Sequence, residues 1–241
     1  MRLYWRKDQP LTKIRGYPDA EYVTQGAEAD IYRSGDLILK VCLLGRDPSP
    51  MMLTVTMADV QRSARMHKLA SDQIPEYVPR FLSLDELQPG YMMQVMEYIP
   101  GPTMMEWLDS GRATSFSEYT LDRAYGLVDS LVEAVRALGR VGICHGDLNA
   151  TNIILLDRVK IIDFGRAFPL TEEDANIDAN ACRILLLGLM SPLHWSTVHQ
   201  DPARIVQGDP QDLGHRQKLD RLFRFAQAIE LSQPALASLP W

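Results

Sequence analysis

Three polar side chains stand at short intervals in CHGDLNATNIILLDRVKIIDFGRAF, residues 144–168. Asp147 closes a His-Gly-Asp triplet, Asn152 follows five residues later, and Asp163 opens an Asp-Phe-Gly triplet. A carboxylate in a loop accepts or orients the proton of an attacking hydroxyl. An amide oxygen and a second carboxylate at neighbouring strand ends form a hard-oxygen site of the kind Mg²⁺ takes, with waters and phosphates as its other ligands. The chemistry such a set fits is phosphoryl transfer from a nucleotide, in which alignment and charge neutralisation carry the catalysis. Asp147 is the candidate for aligning the nucleophile, and Asn152 and Asp163 are the candidates for holding the metal. Either triplet alone arises by chance; the joint spacing is far more specific.

Converging these groups requires particular elements around them. The apolar runs 153–156 and 159–162 predict a β-hairpin that fixes both metal ligands beside the loop carrying Asp147. Upstream, 117–142 holds a stripe of Leu121, Ala124, Tyr125, Val128, Leu131, Val132, Val135 and Leu138 at steps of three and four, which predicts a long amphipathic helix. The first hundred residues read differently. Three strands are expected over 21–43, with turns around Gly26 and at 34–36, then a helix over 57–70 and two more strands over 80–84 and 91–98. Further helices are expected over 174–190 and 213–231. The expected organisation is therefore α+β: a lead-in over 1–20, a β-rich lobe over 21–98 and a mainly helical lobe over 99–241.

Composition bounds the reading. The 241 residues are 46% hydrophobic with a net charge of −6, which fits a globular protein and gives no global basic field for nucleic acid or an anionic membrane. Three cysteines, Cys42, Cys144 and Cys182, point to a reducing compartment rather than a disulfide framework. No apolar run reaches the length of a membrane span, and the start, MRLYWRKDQP, lacks the apolar core of a signal peptide. A cytoplasmic protein is expected; a nuclear protein or an effector exported without such a signal would read the same.

His145-Gly146-Asp147, Asn152 and Asp163-Phe164-Gly165 resemble the catalytic and metal-binding loops of the protein-kinase-like superfamily. VTQGAEADIY followed by LILKV looks like the phosphate-covering hairpin and lysine strand of atypical kinases, and QGAEA together with HGDL…N is similar to the KEOPS-complex kinases, with the RIO kinases as relatives. The resemblance implies a two-lobed minimal kinase-like fold that uses ATP and Mg²⁺ to phosphorylate serine or threonine on a protein substrate. It implies that Lys40 holds the α- and β-phosphates, and that Gly26 and Ala27 bring the hairpin backbone to the nucleotide. It also implies that Met96 is the gatekeeper, with Glu97–Ile99 offering backbone groups to adenine. Asp147 becomes the catalytic aspartate, with Asn152 and Asp163 on Mg²⁺. A KEOPS-like or other protein partner is implied, whereas a membrane or a direct nucleic-acid ligand is not expected.

The chain departs from the pattern in several places. The helix MADVQRSARMHKLA has no Glu to pair with Lys40; alignment puts Ser63 there, leaving Asp59 or Glu28 as substitutes, or an unpaired lysine. Gly146 stands where an Arg is usual, and no Ala-Pro-Glu follows Asp163, so the activation segment is short and switching by its phosphorylation is not expected. The resemblance makes Asp178 a candidate brace for the catalytic loop; the alternative for Asp174 and Asp178 is plain helix N-terminal charge. Cys144 reads as a buried small residue, His194 and His199 as surface histidines, and Arg221 and Arg224 as a solvated basic face. Two rival readings share the motif: a small-molecule phosphotransferase of the aminoglycoside or choline type, and an ATPase or nucleotide-binding scaffold.

Overall fold

In this computed structural model the described residues are 10–26, 28–45, 55–109 and 118–190. They form two compact units, one running to Pro100 and including Phe164–Ala167, the other made of Gly101–Asp163 and the chain from Phe168 onward. The fold is α+β.

The first unit is built on a five-stranded antiparallel sheet of order β1-β2-β3-β5-β4. Its strands are β1 (Glu21–Gln25), β2 (Asp30–Ser34), β3 (Leu37–Leu43), β4 (Phe81–Gln88) and β5 (Tyr91–Glu97). The central strands β3 and β5 are buried on both faces, so they read as near-continuous apolar runs rather than alternating ones. Leu39, Val41, Met93 and Val95 turn to one side, where Ile14 joins them and Leu11, Tyr17 and Ala20 pack against the cluster. Residues 10–20, read from the sequence as an extended lead-in, thus cover a sheet face, and Ile14 is only 3% exposed. Cys42 and Met92 turn to the other side and meet Val60 of helix α1 (Met57–Gln73).

Helix α1 starts at Thr56, whose hydroxyl accepts from the Asp59 amide while the Asp59 carboxylate accepts from the Thr56 amide. This reciprocal capping box satisfies two amide donors at the helix start. Val60, Ala64, His67 and Ala70 then recur at steps of three and four and face inward. Strand β4 runs beyond the expected 80–84. Its exposed Asp85 and Glu86 and its two register shifts suit an edge strand and weaken the period that a sequence shows.

The second unit holds helices α2 (Met104–Asp109), α3 (Glu118–Arg140) and α4 (Ile177–Met190). Of the predicted α3 stripe, Val128, Leu131, Val132 and Leu138 are buried. The hairpin of β7 (Ile153–Leu155) and β8 (Val159–Ile161) forms as expected, and Ser130 of α3 accepts from the Val159 amide through its hydroxyl. A further short pair, β6 (Ile143–Cys144) with β9 (Phe168–Pro169), flanks the loop between α3 and the hairpin. Strands of two residues carry no period, which is why the sequence hid them. Helix α4 begins at Ile177 rather than 174, because Thr171 and Asp174 close a turn ahead of it. The helix expected over 213–231, the pair His194 and His199, and Arg221 and Arg224 lie outside the described residues. Among the described residues no helix is long and apolar enough to cross a membrane.

Candidate active site

The second unit gathers Asp147, Asn152 and Asp163 through backbone bonds. After β6, His145 is fully buried, and its Nε2–H donates to the Ile162 carbonyl at 3.0 Å. The Ile162 amide in turn donates to the Asn152 carbonyl at 2.9 Å. Both backbone groups of the residue before Asp163 are thereby tied to the loop that carries the other two. The Asp147 carbonyl accepts from Asn149 Nδ2 at 3.1 Å and from Asn152 Nδ2 at 2.9 Å, with a longer 3.4 Å contact from Asn152 Nδ2 to Asp147 Oδ2. The amide nitrogen of Asn152 is turned to Asp147, and its oxygen, which accepts from the Thr151 hydroxyl at a long 3.5 Å, is the candidate end for a cation. Asp163 is exposed and has φ of 61°, the one positive φ at a non-glycine among the described residues. Such a backbone costs free energy outside glycine and concentrates at functional sites. A neutral amide oxygen beside an exposed carboxylate suits Mg²⁺, which binds few protein ligands.

Asp178 anchors this loop from α4. One oxygen accepts from the His145 amide at 2.5 Å and the other from the Gly146 amide at 3.0 Å, and the carboxylate is buried. Of the two sequence readings of Asp178, the brace is therefore the one observed. Gly146 has φ of 72°, a conformation in which a side chain is strained, so a larger residue fits this turn poorly. Cys144 is buried, as the sequence reading expected, and its thiol is pushed up to about 12, first by burial and then by the charge of Asp178.

The first unit carries the remaining candidates. Lys40 on β3 is 7% exposed and lines a narrow cleft with Glu28, Cys42, Val55, Asp59, Val60, Ser63, Gln94 and Gly165. Ser63, the residue aligned with the missing helix acid, faces this cleft and is buried. The two candidate substitutes line it as well. Asp59 accepts from the Thr56 hydroxyl and from Arg62; hydrogen bonds from Thr56, with Arg62 adding, hold its carboxyl below the usual aspartate range. Glu28 stands 3.6 Å from Arg166 Nε.

Around the expected nucleotide loop, the Gly26 amide closes a turn onto the Ala29 carbonyl at 2.8 Å. Ala27 lies outside the described residues. Met96 is buried at the end of β5, opposite Ile38 and Phe81. The Glu97 amide donates to Arg80 at 2.9 Å and the Tyr98 amide to Asp36 at 2.8 Å. Glu97–Ile99, whose backbone the family resemblance offers to adenine, follow directly on Met96.

Three residues escaped the sequence reading. Gln94, the lone amide in the apolar strand YMMQVME, carried a signal: a buried polar side chain needs partners. His67 repeats with Val60 and Ala64 on the inner face of α1, a pattern that reads equally as core. Gly101 gave no signal, because its need for a missing side chain comes from residues 154–156 packing beside it.

An antiparallel sheet with one helix and a buried strand lysine, and a helical unit with an anchored His-Gly-Asp loop and a two-ligand hairpin, are the parts of a protein-kinase-like phosphotransferase. The protein kinase domain family matches residues 59–182, and the chain belongs to that family. A probable serine/threonine-protein kinase of Streptomyces coelicolor is 28% identical over 177 residues, covering 70% of this chain and 25% of that protein. The EKC/KEOPS complex subunit BUD32 of Enterocytozoon bieneusi is 31% identical over 163 residues, 65% of this chain and 76% of that subunit. A probable serine/threonine-protein kinase of Dictyostelium discoideum is 27% identical over 126 residues, 52% of this chain and 9% of that protein. The chain thus spans about a quarter of the Streptomyces relative and three quarters of the KEOPS subunit.

Proposed function

We propose that this protein is an ATP- and Mg²⁺-dependent phosphotransferase, an atypical serine/threonine protein kinase of the KEOPS-kinase type acting in the cytoplasm on a protein substrate. The observation that carries the reading is the tie from His145 and Asn152 through Ile162 to Asp163, which holds two metal-type ligands beside Asp147. Lys40 holds the α- and β-phosphates, and Gly26 and Ala27 cover them. Met96, the Glu97 carbonyl and the Ile99 amide receive the adenine. Asn152 Oδ1 and the Asp163 carboxylate would hold Mg²⁺, which would supply positive charge to neutralise the phosphates. Asp147 orients the attacking hydroxyl and receives its proton, a role that contributes about 10²–10⁴-fold in rate.

A second reading is an ATPase subunit that works for a partner. It is favoured by Ser63 standing where the family resemblance calls for an acid, and by the relative that is a subunit of a complex. One experiment separates them: the chain and Asp163→Ala are incubated with γ-labelled ATP and Mg²⁺, and label on protein and free phosphate are followed together. Label on protein that disappears in the variant supports the kinase. Free phosphate without labelled protein supports the ATPase, and undiminished turnover in the folded variant overturns the site.

A further inference from the structure

Arg166 and Glu28 form an ion pair to which no part of the proposed chemistry gives a role. Arg166 Nε stands 3.6 Å from Glu28 Oε1, and the side chains are 49% and 22% exposed. Both residues belong to the first unit, which includes Phe164–Ala167. Glu28 lines the cleft that also holds Lys40, and so does Gly165, the residue before Arg166.

Neither backbone depends on this pair for its position. The Gly26 amide donates to the Ala29 carbonyl at 2.8 Å, and Ala29 is buried against Cys42, Val60 and Met92. At the other end the Ala167 amide donates to the Phe164 carbonyl at 3.1 Å, and Phe164 and Ala167 are both buried. Two anchored segments thus present side chains that meet loosely. A charge-assisted N–H···O bond closes at about 2.7–2.9 Å, and a guanidinium often makes two in parallel. At 3.6 Å the contact is ionic without a hydrogen bond, and part-exposed pairs of this kind contribute little to stability. Asp59, the other carboxylate of the cleft, is held differently: it accepts from the Thr56 hydroxyl at 2.6 Å and from Arg62 at 2.8 Å.

We infer that Arg166 is a further phosphate-binding residue of the nucleotide cleft, and that Glu28 is the anion it gives up when phosphate enters. The planar guanidinium fork matches phosphate oxygens, and a single carboxylate oxygen at this distance does not saturate it. Glu28 without that charge would set a carboxylate in the path of the phosphates and repel them. In the nucleotide-free chain the pair balances the two charges. With phosphate bound, the guanidinium turns to it and the Glu28 carboxylate turns to solvent. This inference rests on the nucleotide site proposed above.

The test separates phosphate from nucleoside. Binding of MgATP and of adenosine is measured by calorimetry on wild type, Arg166→Ala and Glu28→Gln. The rate at which phenylglyoxal modifies Arg166 is read by peptide mass spectrometry, with and without each ligand. Arg166→Ala removes a phosphate donor, so MgATP binds about tenfold more weakly while adenosine binds as in wild type. Glu28→Gln removes the competing anion, so MgATP binds about threefold more tightly, and Arg166 is modified faster in the ligand-free chain. MgATP protects Arg166 from the reagent and adenosine does not. If Arg166→Ala does not fold, Arg166→Gln takes its place.

A pair that only braced the turn at Gly26–Ala29 would be broken alike by either substitution, and Glu28→Gln would then weaken MgATP binding as Arg166→Ala does. That result overturns the inference. So does Arg166 modification that MgATP leaves unchanged in a wild type that binds MgATP; the nucleotide site then stands without Arg166. A wild type that binds neither ligand overturns the nucleotide site and the inference together.

Discussion

The imidazole of His67 lies flat against the ring of Phe164, with centroids 4.9 Å apart and planes within 5°. Phe81 meets the same imidazole edge-on at 5.3 Å, and the ring's Nε2–H donates to the Pro79 carbonyl at 2.9 Å. His67 and Phe164 are each 2% exposed. One buried ring therefore joins α1, the entry to β4 and the aromatic residue that directly follows Asp163.

His67→Ala removes a stacking partner and leaves the Pro79 carbonyl buried without its donor. The expected cost is about 2–4 kcal/mol in denaturant unfolding. His67→Leu keeps the volume but loses the hydrogen bond, at about 1–2 kcal/mol. A Leu variant as damaged as the Ala variant would show that packing volume is not what the ring contributes.

Asp178→Ala strips the acceptor from the amides of His145 and Gly146. One buried and one half-buried donor without partners are expected to cost about 3 kcal/mol, and turnover should fall with Asp147 no longer anchored. Asp178→Asn keeps one acceptor and should lie between. Urea unfolding and phosphate transfer on the same preparations check both, and an Ala variant as stable and active as wild type would remove the brace.

Gly101 sits where an added Cβ would meet Leu156 Cδ2 at 2.9 Å, Ile154 Cγ2 at 3.0 Å and the Leu155 carbonyl at 3.3 Å. The neighbouring Pro102 carbonyl accepts from the Leu155 amide at 3.0 Å, so the backbones have little freedom to part. Gly101→Ala is expected to destabilise by about 1–2 kcal/mol through overpacking. Thermal unfolding measures this, and an unchanged midpoint would show that Leu156 gives way freely.

Cys144 and Cys182 have thiols pushed up to about 12, each chiefly by burial and then by the charge of Asp178. A raised folded-state pKa means that the unfolded thiol ionises first. Their contribution to stability is whole below about pH 8.5 and is lost as pH climbs from there towards 12. At pH 8 both should resist iodoacetamide in the native protein and react once it is unfolded, as peptide mapping would show; rapid native labelling of either would refute their burial as neutral thiols.

What the sequence determined by itself is local. Asp147, Asn152 and Asp163 fall within one short segment, so loop and hairpin geometry over a few residues suffices to imply how they are arranged. The Thr56–Asp59 cap and the α3 stripe are local in the same sense. Tertiary structure decided the supports. Gln94 faces Lys40 only because β3 and β5 pair in one register, and a slip of one residue would turn the amide to the other face. Asp178 reaches His145 across 33 positions, and His67 meets Phe164 from a helix far earlier in the chain. Ile14 covers a sheet face although its own segment shows no period. Local periodicity and spacing report what neighbours in the chain do. Partners far apart in sequence are chosen by strand register and by which buried polar groups and rings must be satisfied, and these exist only once the chain has closed on itself.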